Sequence, residues 1–137
     1  MRKTVAVLIS AVLIVPLLLG QASKTEPAQK AAESWIALVD AGNYAGSYDQ
    51  ASTMFKAAIS KADWVQKVGA VRTPLGKTVS RKLQSAQYTT SLPGAPDGEY
   101  VVARYDTSFE NKKAAIETVV MAIDKDGQWR VSGYFIK

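Results

Sequence analysis

The stretch that decides the fold is Tyr100–Lys137, YVVARYDTSFENKKAAIETVVMAIDKDGQWRVSGYFIK. Three runs rich in β-branched and aromatic residues are separated by two polar turns, Glu110–Lys113 and Asp124–Gly127. That pattern predicts an antiparallel meander, with Asp126-Gly127 as a hairpin signal. Side-chain parity then assigns the faces. Centring the first hairpin on Asn111-Lys112 pairs Phe109 with Ala114. It gathers Val101, Ala103, Tyr105, Thr107, Phe109, Ile116, Thr118, Val120, Val131 and Phe135 on one uncharged face, expected to meet the helices. The opposite face then holds Arg104, Asp106, Glu117, Val119, Met121 and Tyr134. An apolar centre with a charged rim has the composition of a contact surface, so these six are the interface candidates.

Working upstream, Leu92–Gly98 is rich in proline and glycine and reads as a loop. Val79–Ser91 is a polar segment carrying Arg81 and Lys82, which predicts an edge strand. Ala28, Ala31, Ala32, Trp35, Leu38 and Val39 recur at helical spacing, with Thr25 as the expected cap and Gly42-Asn43 as the stop. Tyr44–Ser60 continues as helix in two pieces, broken near Ser52-Thr53. Asp63 is the expected cap of a further helix carrying Trp64, Val68 and Val71, ended by Pro74 and Gly76. The fold class is therefore α+β: N-terminal helices packed on a curved four-stranded antiparallel meander.

The first residues read differently. Met1–Thr4 is basic, Val5–Leu19 is apolar and uncharged, and Gly20-Gln21-Ala22 supplies small residues before a cut after Ala22. That is the layout of a signal peptide over 1–22, which leaves a single domain at 23–137 and a periplasmic or secreted destination. The apolar run is shorter than the roughly 20 residues that span a bilayer, so no stable membrane insertion is expected after cleavage.

Composition narrows the chemistry. The formal net charge of +5 falls to +3 without Arg2 and Lys3, and the remaining cations are dispersed, so no nucleic-acid footprint is expected. There is no cysteine, hence no disulfide, and no histidine, which removes the commonest general base and metal ligand. Asp124, Asp126 and Gly127 start like a calcium loop, but the closing acid is missing. Gly76-Lys77-Thr78 echoes a phosphate loop without its upstream glycine. No cofactor or metal is expected. Arg104, Asp106 and Glu117 read as a cross-strand salt network more readily than as an acid–base pair. Trp35, Tyr48 and Phe55 on the helices, with Tyr105, Thr107 and Thr118 on the sheet, are the ligand-pocket candidates.

Helices followed by a meander ending in QWRVSGYFIK resemble the nuclear transport factor 2-like, cystatin-like roll. At finer grain, AAESWIALVDAGNYAGSYDQAS, PLGKTVSRKLQSAQYTTSLPGAPDGEYVV, YDTSFENKKAAIETV and DKDGQWRVSGYFIK resemble the domain of unknown function 4019 family of small exported bacterial proteins. The resemblance implies an exported protein with no assigned activity. The roll architecture also hosts ketosteroid isomerases, dehydratases, ligand binders and assembly modules, so fold alone selects none of them. An isomerase of that type needs an inward carboxylate, and the register above places Asp106 and Glu117 outside. The expected function is thus a non-enzymatic exported domain that binds a protein, an envelope component or a second copy through its outer sheet face. The alternative is small-molecule binding, or an isomerase or lyase, in a helix–sheet cavity.

Overall fold

The computed structural model describes residues 16–137, with side chains from Lys24 onward. The expected signal segment 1–22 thus lies outside the described residues except for the backbone at its end. The elements are α1 (Pro16–Asp40), α2 (Tyr44–Asp49), α3 (Thr53–Ala58), α4 (Lys61–Leu75), β1 (Thr78–Thr89), β2 (Tyr100–Phe109), β3 (Lys112–Ile123) and β4 (Trp129–Ile136). The strands form one antiparallel sheet in the order β1-β2-β3-β4. The α+β class, the four strands and the edge position of β1 are as expected. No helix among the described residues is long and apolar enough to cross a membrane.

The helix starts are set by local side-chain chemistry. Ser52 Oγ accepts from Phe55 N and caps α3, at the break read from the sequence. Ser60, not Asp63, caps α4: its Oγ accepts from Asp63 N at 3.2 Å, leaving Asp63 in the first turn, where its charge favours the helix dipole. Thr25 does not begin a helix, because α1 already runs through it from Pro16 and carries Pro27 in its interior.

α1 lies across the inner sheet face through Ala28, Ala32, Trp35, Ile36 and Val39, all buried. Beneath them are Val101, Ala103, Tyr105, Val119, Met121 and Val131. That set corrects the parity reading. Along the sheet Val101 faces Met121, Ala103 faces Val119 and Tyr105 faces Glu117. The turn residues are Glu110 and Asn111, since Phe109 pairs with Lys112, and an irregularity between Thr107 and Phe109 sets two β3 residues against one of β2. This bulge adds one residue, and one residue turns every β3 side chain to the other face. Glu117, Val119 and Met121 therefore point inward. Ile116, Thr118 and Val120 point outward.

The position of that turn is fixed from outside the meander. Glu110 N donates to Lys77 O, Asn111 N to Leu75 O, Asn111 Nδ2 to Pro74 O, and Lys77 N donates to the Glu110 carboxylate at 2.7 Å. The turn is clamped to the end of α4. Gly76 permits the approach: its φ is 75°, and a Cβ there would lie 3.0 Å from Glu110 Cβ. A second irregularity, between Val120 and Met121, leaves Ser132 as the extra residue of β4. Val131 and Tyr134 consequently both face inward, whereas Phe135 faces out and is 62% exposed.

Candidate functional site

The inner face carries one of the two carboxylates that the simple hairpin register places outside. Glu117 is fully buried (0% exposed). Its Oε1 accepts from Arg81 Nε at 2.7 Å and from Thr107 Oγ1 at 2.6 Å, and its Oε2 accepts from the Tyr134 hydroxyl. Arg81 extends from β1 and also bonds Asp40, at the end of α1, at 2.7 and 3.0 Å. Asp40 in turn accepts from Arg72 of α4 at 2.8 Å and from Thr78 at 3.1 Å. Two arginines and two carboxylates, with the Thr107 and Tyr134 hydroxyls, thus join α1, α4 and all four strands, and their formal charges cancel. Buried ions persist only when paired and hydrogen-bonded in this way.

The electrostatics follow from the contacts. Burial pushes the Asp40 carboxyl up, but hydrogen bonds from Arg81 and Arg72 outweigh it and hold the group below the usual carboxylate range. Burial, then the Glu117 charge, pushes the Tyr134 hydroxyl far above its usual value, so it stays a donor. Arg72 stacks its guanidinium 5.0 Å over the Phe109 ring. Its Nε and the Tyr105 hydroxyl are buried without a hydrogen-bond partner among the described residues.

An inward acid is what an isomerase of the roll type requires, so the placement of Glu117 reopens that chemistry. The geometry closes it again for this group. Both oxygens are engaged and solvent does not reach them, which leaves Glu117 no means to take a substrate's proton. Arg104 and Asp106 do not join it. Both stay on the outer face, Asp106 opposite Ile116, and neither makes an ion pair among the described residues.

The pocket candidates are likewise dispersed. Trp35 packs on Trp64 (5.9 Å), Tyr134 (5.3 Å) and Phe55 (6.5 Å), and Phe55 packs on Trp64 (4.8 Å) and Tyr48 (6.1 Å). These rings occupy the space expected to be a cavity. Both indole N–H groups end on the buried Ser47, Trp35 on its carbonyl at 2.8 Å and Trp64 on its hydroxyl at 2.9 Å. The Tyr48 hydroxyl donates to Ile59 O. Thr107 is spent on Glu117, and Thr118 faces away from the helices, opposite Arg104 and Phe135.

The sequence reading missed Arg72, Arg81 and Asp40. A signal for Arg72 was present, since Trp64, Val68 and Arg72 recur every four residues on one helix face and are all buried.

The interface candidates divide in the same way. Glu117, Val119, Met121 and Tyr134 belong to the interior, and only Arg104 and Asp106 remain available outside. The outer face instead presents Val102, Ile116, Thr118, Val120 and Phe135. Phe135 also borders a cleft of about 270 Å³ between α4 and β4, with Trp64, Val71 and Ile136. A cleft of about 440 Å³ lies between α1 and the start of β4.

The family described as "Protein of unknown function (DUF4019)" matches residues 31–134, which include every member of the network above. No curated protein matches the chain.

Because Glu117 is buried with all its partners in place, Glu117→Ala leaves the Thr107 and Tyr134 hydroxyls without an acceptor and Arg81 with Asp40 alone, and should destabilise the fold by about 2–4 kcal/mol in chemical denaturation. A carboxyl held below its unfolded pKa contributes stability that is complete above about pH 4 and lost as pH falls. A tyrosine held above its unfolded pKa contributes stability that is complete below about pH 10 and lost as pH rises. The urea midpoint should decline on both sides of that window, less steeply in acid for Asp40→Asn and less steeply in alkali for Tyr134→Phe. A midpoint independent of pH, or unmoved by Glu117→Ala, contradicts the network.

Proposed function

We propose, from the premise that this chain belongs to the DUF4019 family, that it is a non-enzymatic exported domain acting through its outer sheet face, and that the partner is a second copy of itself. The observation that carries this reading is Phe135, 62% exposed beside the 38% exposed Ile116 on a face that no described helix covers. An open apolar sheet face on a two-layer domain marks an interaction surface.

Charge favours a like partner. Arg104, Lys82 and Asp106 are exposed on this face, Lys82 directly across from Asp106, and none of them makes an ion pair among the described residues, so the face carries both signs and can be met by the same signs of a second copy across a two-fold axis. Size is compatible as well. On ordinary strand spacing and rise, four strands of about ten residues present roughly 600 Å², near the ~800 Å² per partner of a stable complex. The apolar strip continues around β4 to Val71, which adds to it. Export rests on the leader pattern of 1–22 and places the domain in the periplasm or outside the cell.

Sedimentation of the exported protein, with its intact mass measured on the same sample, tests both parts. The expected result is a mass lacking residues 1–22 and a dimer that Phe135→Glu converts to a monomer with an unchanged unfolding midpoint. A wild-type monomer at about 100 μM, a concentration that populates even a weak dimer, overturns the self-association. Retention of residues 1–22 overturns the cleavage.

A further inference from the structure

Away from both the buried network and the outer face, the cleft of about 440 Å³ brings together Ser34 and Trp35 of α1, Gln50 at the end of α2, and Gln128, Trp129 and Arg130 at the start of β4. Its volume falls within the usual range for a small-molecule site. The floor is Trp35, only 2% exposed and with its indole N–H committed to Ser47 O. Trp129 is half-buried on the wall, and its indole N–H makes no hydrogen bond among the described residues. The side chains of Ser34, Gln50 and Gln128 are also without hydrogen-bond partners there.

The charge state of the cleft is as informative as its aromatics. Arg130 is its only ionised side chain among the described residues, and its guanidinium is held by Asp126 at 2.7 and 2.8 Å and by Asp124 at 3.2 Å. The Asp126 carboxyl is held down at about 2, chiefly by the Arg130 hydrogen bond, so it is ionised at ordinary pH and faces the guanidinium as a full charge. An anion gains no free cation here and a cation gains no free carboxylate. What remains is a flat apolar indole ringed by two amides and a hydroxyl, each able both to donate and to accept. A ligand suited to that set is neutral, with one face of C–H groups to lie on the indole and a rim of groups that also donate and accept. A saccharide ring has this chemistry: its axial C–H groups make an apolar face and its hydroxyls supply the rim.

We infer that the cleft between α1 and the start of β4 is a binding site for a neutral saccharide, with Trp129 as the stacking surface and Ser34, Gln50 and Gln128 as the hydroxyl-reading groups. The site is separate from the sheet face, so self-association and saccharide binding stand or fall independently.

Isothermal titration of the folded protein with the neutral trisaccharides N,N′,N″-triacetylchitotriose, cellotriose and maltotriose tests the site, with glucose 6-phosphate as the anionic control. Concentrations up to about 10 mM fill even a millimolar site. The expected result is saturable binding of at least one trisaccharide, weakened roughly tenfold by Trp129→Ala, the scale of a lost stacking contact. Gln128 is exposed and its side chain touches no hydrogen-bond partner, so Gln128→Ala should weaken binding while leaving the unfolding midpoint in place. Absence of saturable binding for all three sugars, binding that both variants leave unchanged, or tighter binding of glucose 6-phosphate overturns the inference.

Discussion

The structure depends on how one carboxylate is accommodated. Glu117 stands in the middle of β3, where its neighbours Val119 and Met121 are core residues, and it is as buried as they are. An ionised carboxylate in such a place costs several kcal/mol unless each lone pair is met. Arg81, Thr107 and Tyr134 meet them, and each comes from a different strand. Arg81 then requires Asp40, and Asp40 holds Arg72, so satisfying one acid draws the ends of α1 and α4 onto the sheet. The network is less a source of net stability than a device for register. A strand shifted by one residue would expose Glu117, leave Tyr134 without its acceptor and cut Arg81 back to Asp40.

That same feature explains what the sequence disclosed and what it withheld. The existence of four strands, the edge character of β1, the helical stripe of α1 and the break before Thr53 were all legible, because each rests on local periodicity or on a cap. Strand faces were not. The uncharged face produced by the simple hairpin register looked self-consistent, since Ile116, Thr118 and Val120 carry no charge, whereas Ala115, Val119 and Met121 share their face with Glu117. Two irregularities, one beside the Glu110-Asn111 turn and one at Ser132, overturn it. The first depends on contacts with Pro74, Leu75 and Lys77, more than 30 residues away along the chain. No local pattern in Tyr100–Lys137 records those contacts.

The corrected faces change the functional picture. An inward acid could serve proton-transfer chemistry, yet here the acid is closed by its partners and the adjoining space is filled by aromatic rings. The polar interior serves the fold. What is left open lies outside: a sheet face led by Phe135 and Ile116, and a charge-neutral cleft beside Trp129. Both are the surfaces proposed above for recognition, and neither draws on the groups that hold the strands in register. That separation lets the two surfaces vary without loss of the fold.

The account stands on the orientation of β3, and the absence of cysteine makes it directly measurable. Single cysteines at 115, 116, 118 and 119 can be labelled with a thiol reagent in the folded protein. Inward positions should react only through opening of the structure, outward ones at the rate of a free thiol. The account predicts rapid labelling of Ile116→Cys and Thr118→Cys and strong protection of Ala115→Cys and Val119→Cys. The reverse pattern would return Glu117 to the surface and remove the network on which the rest is built.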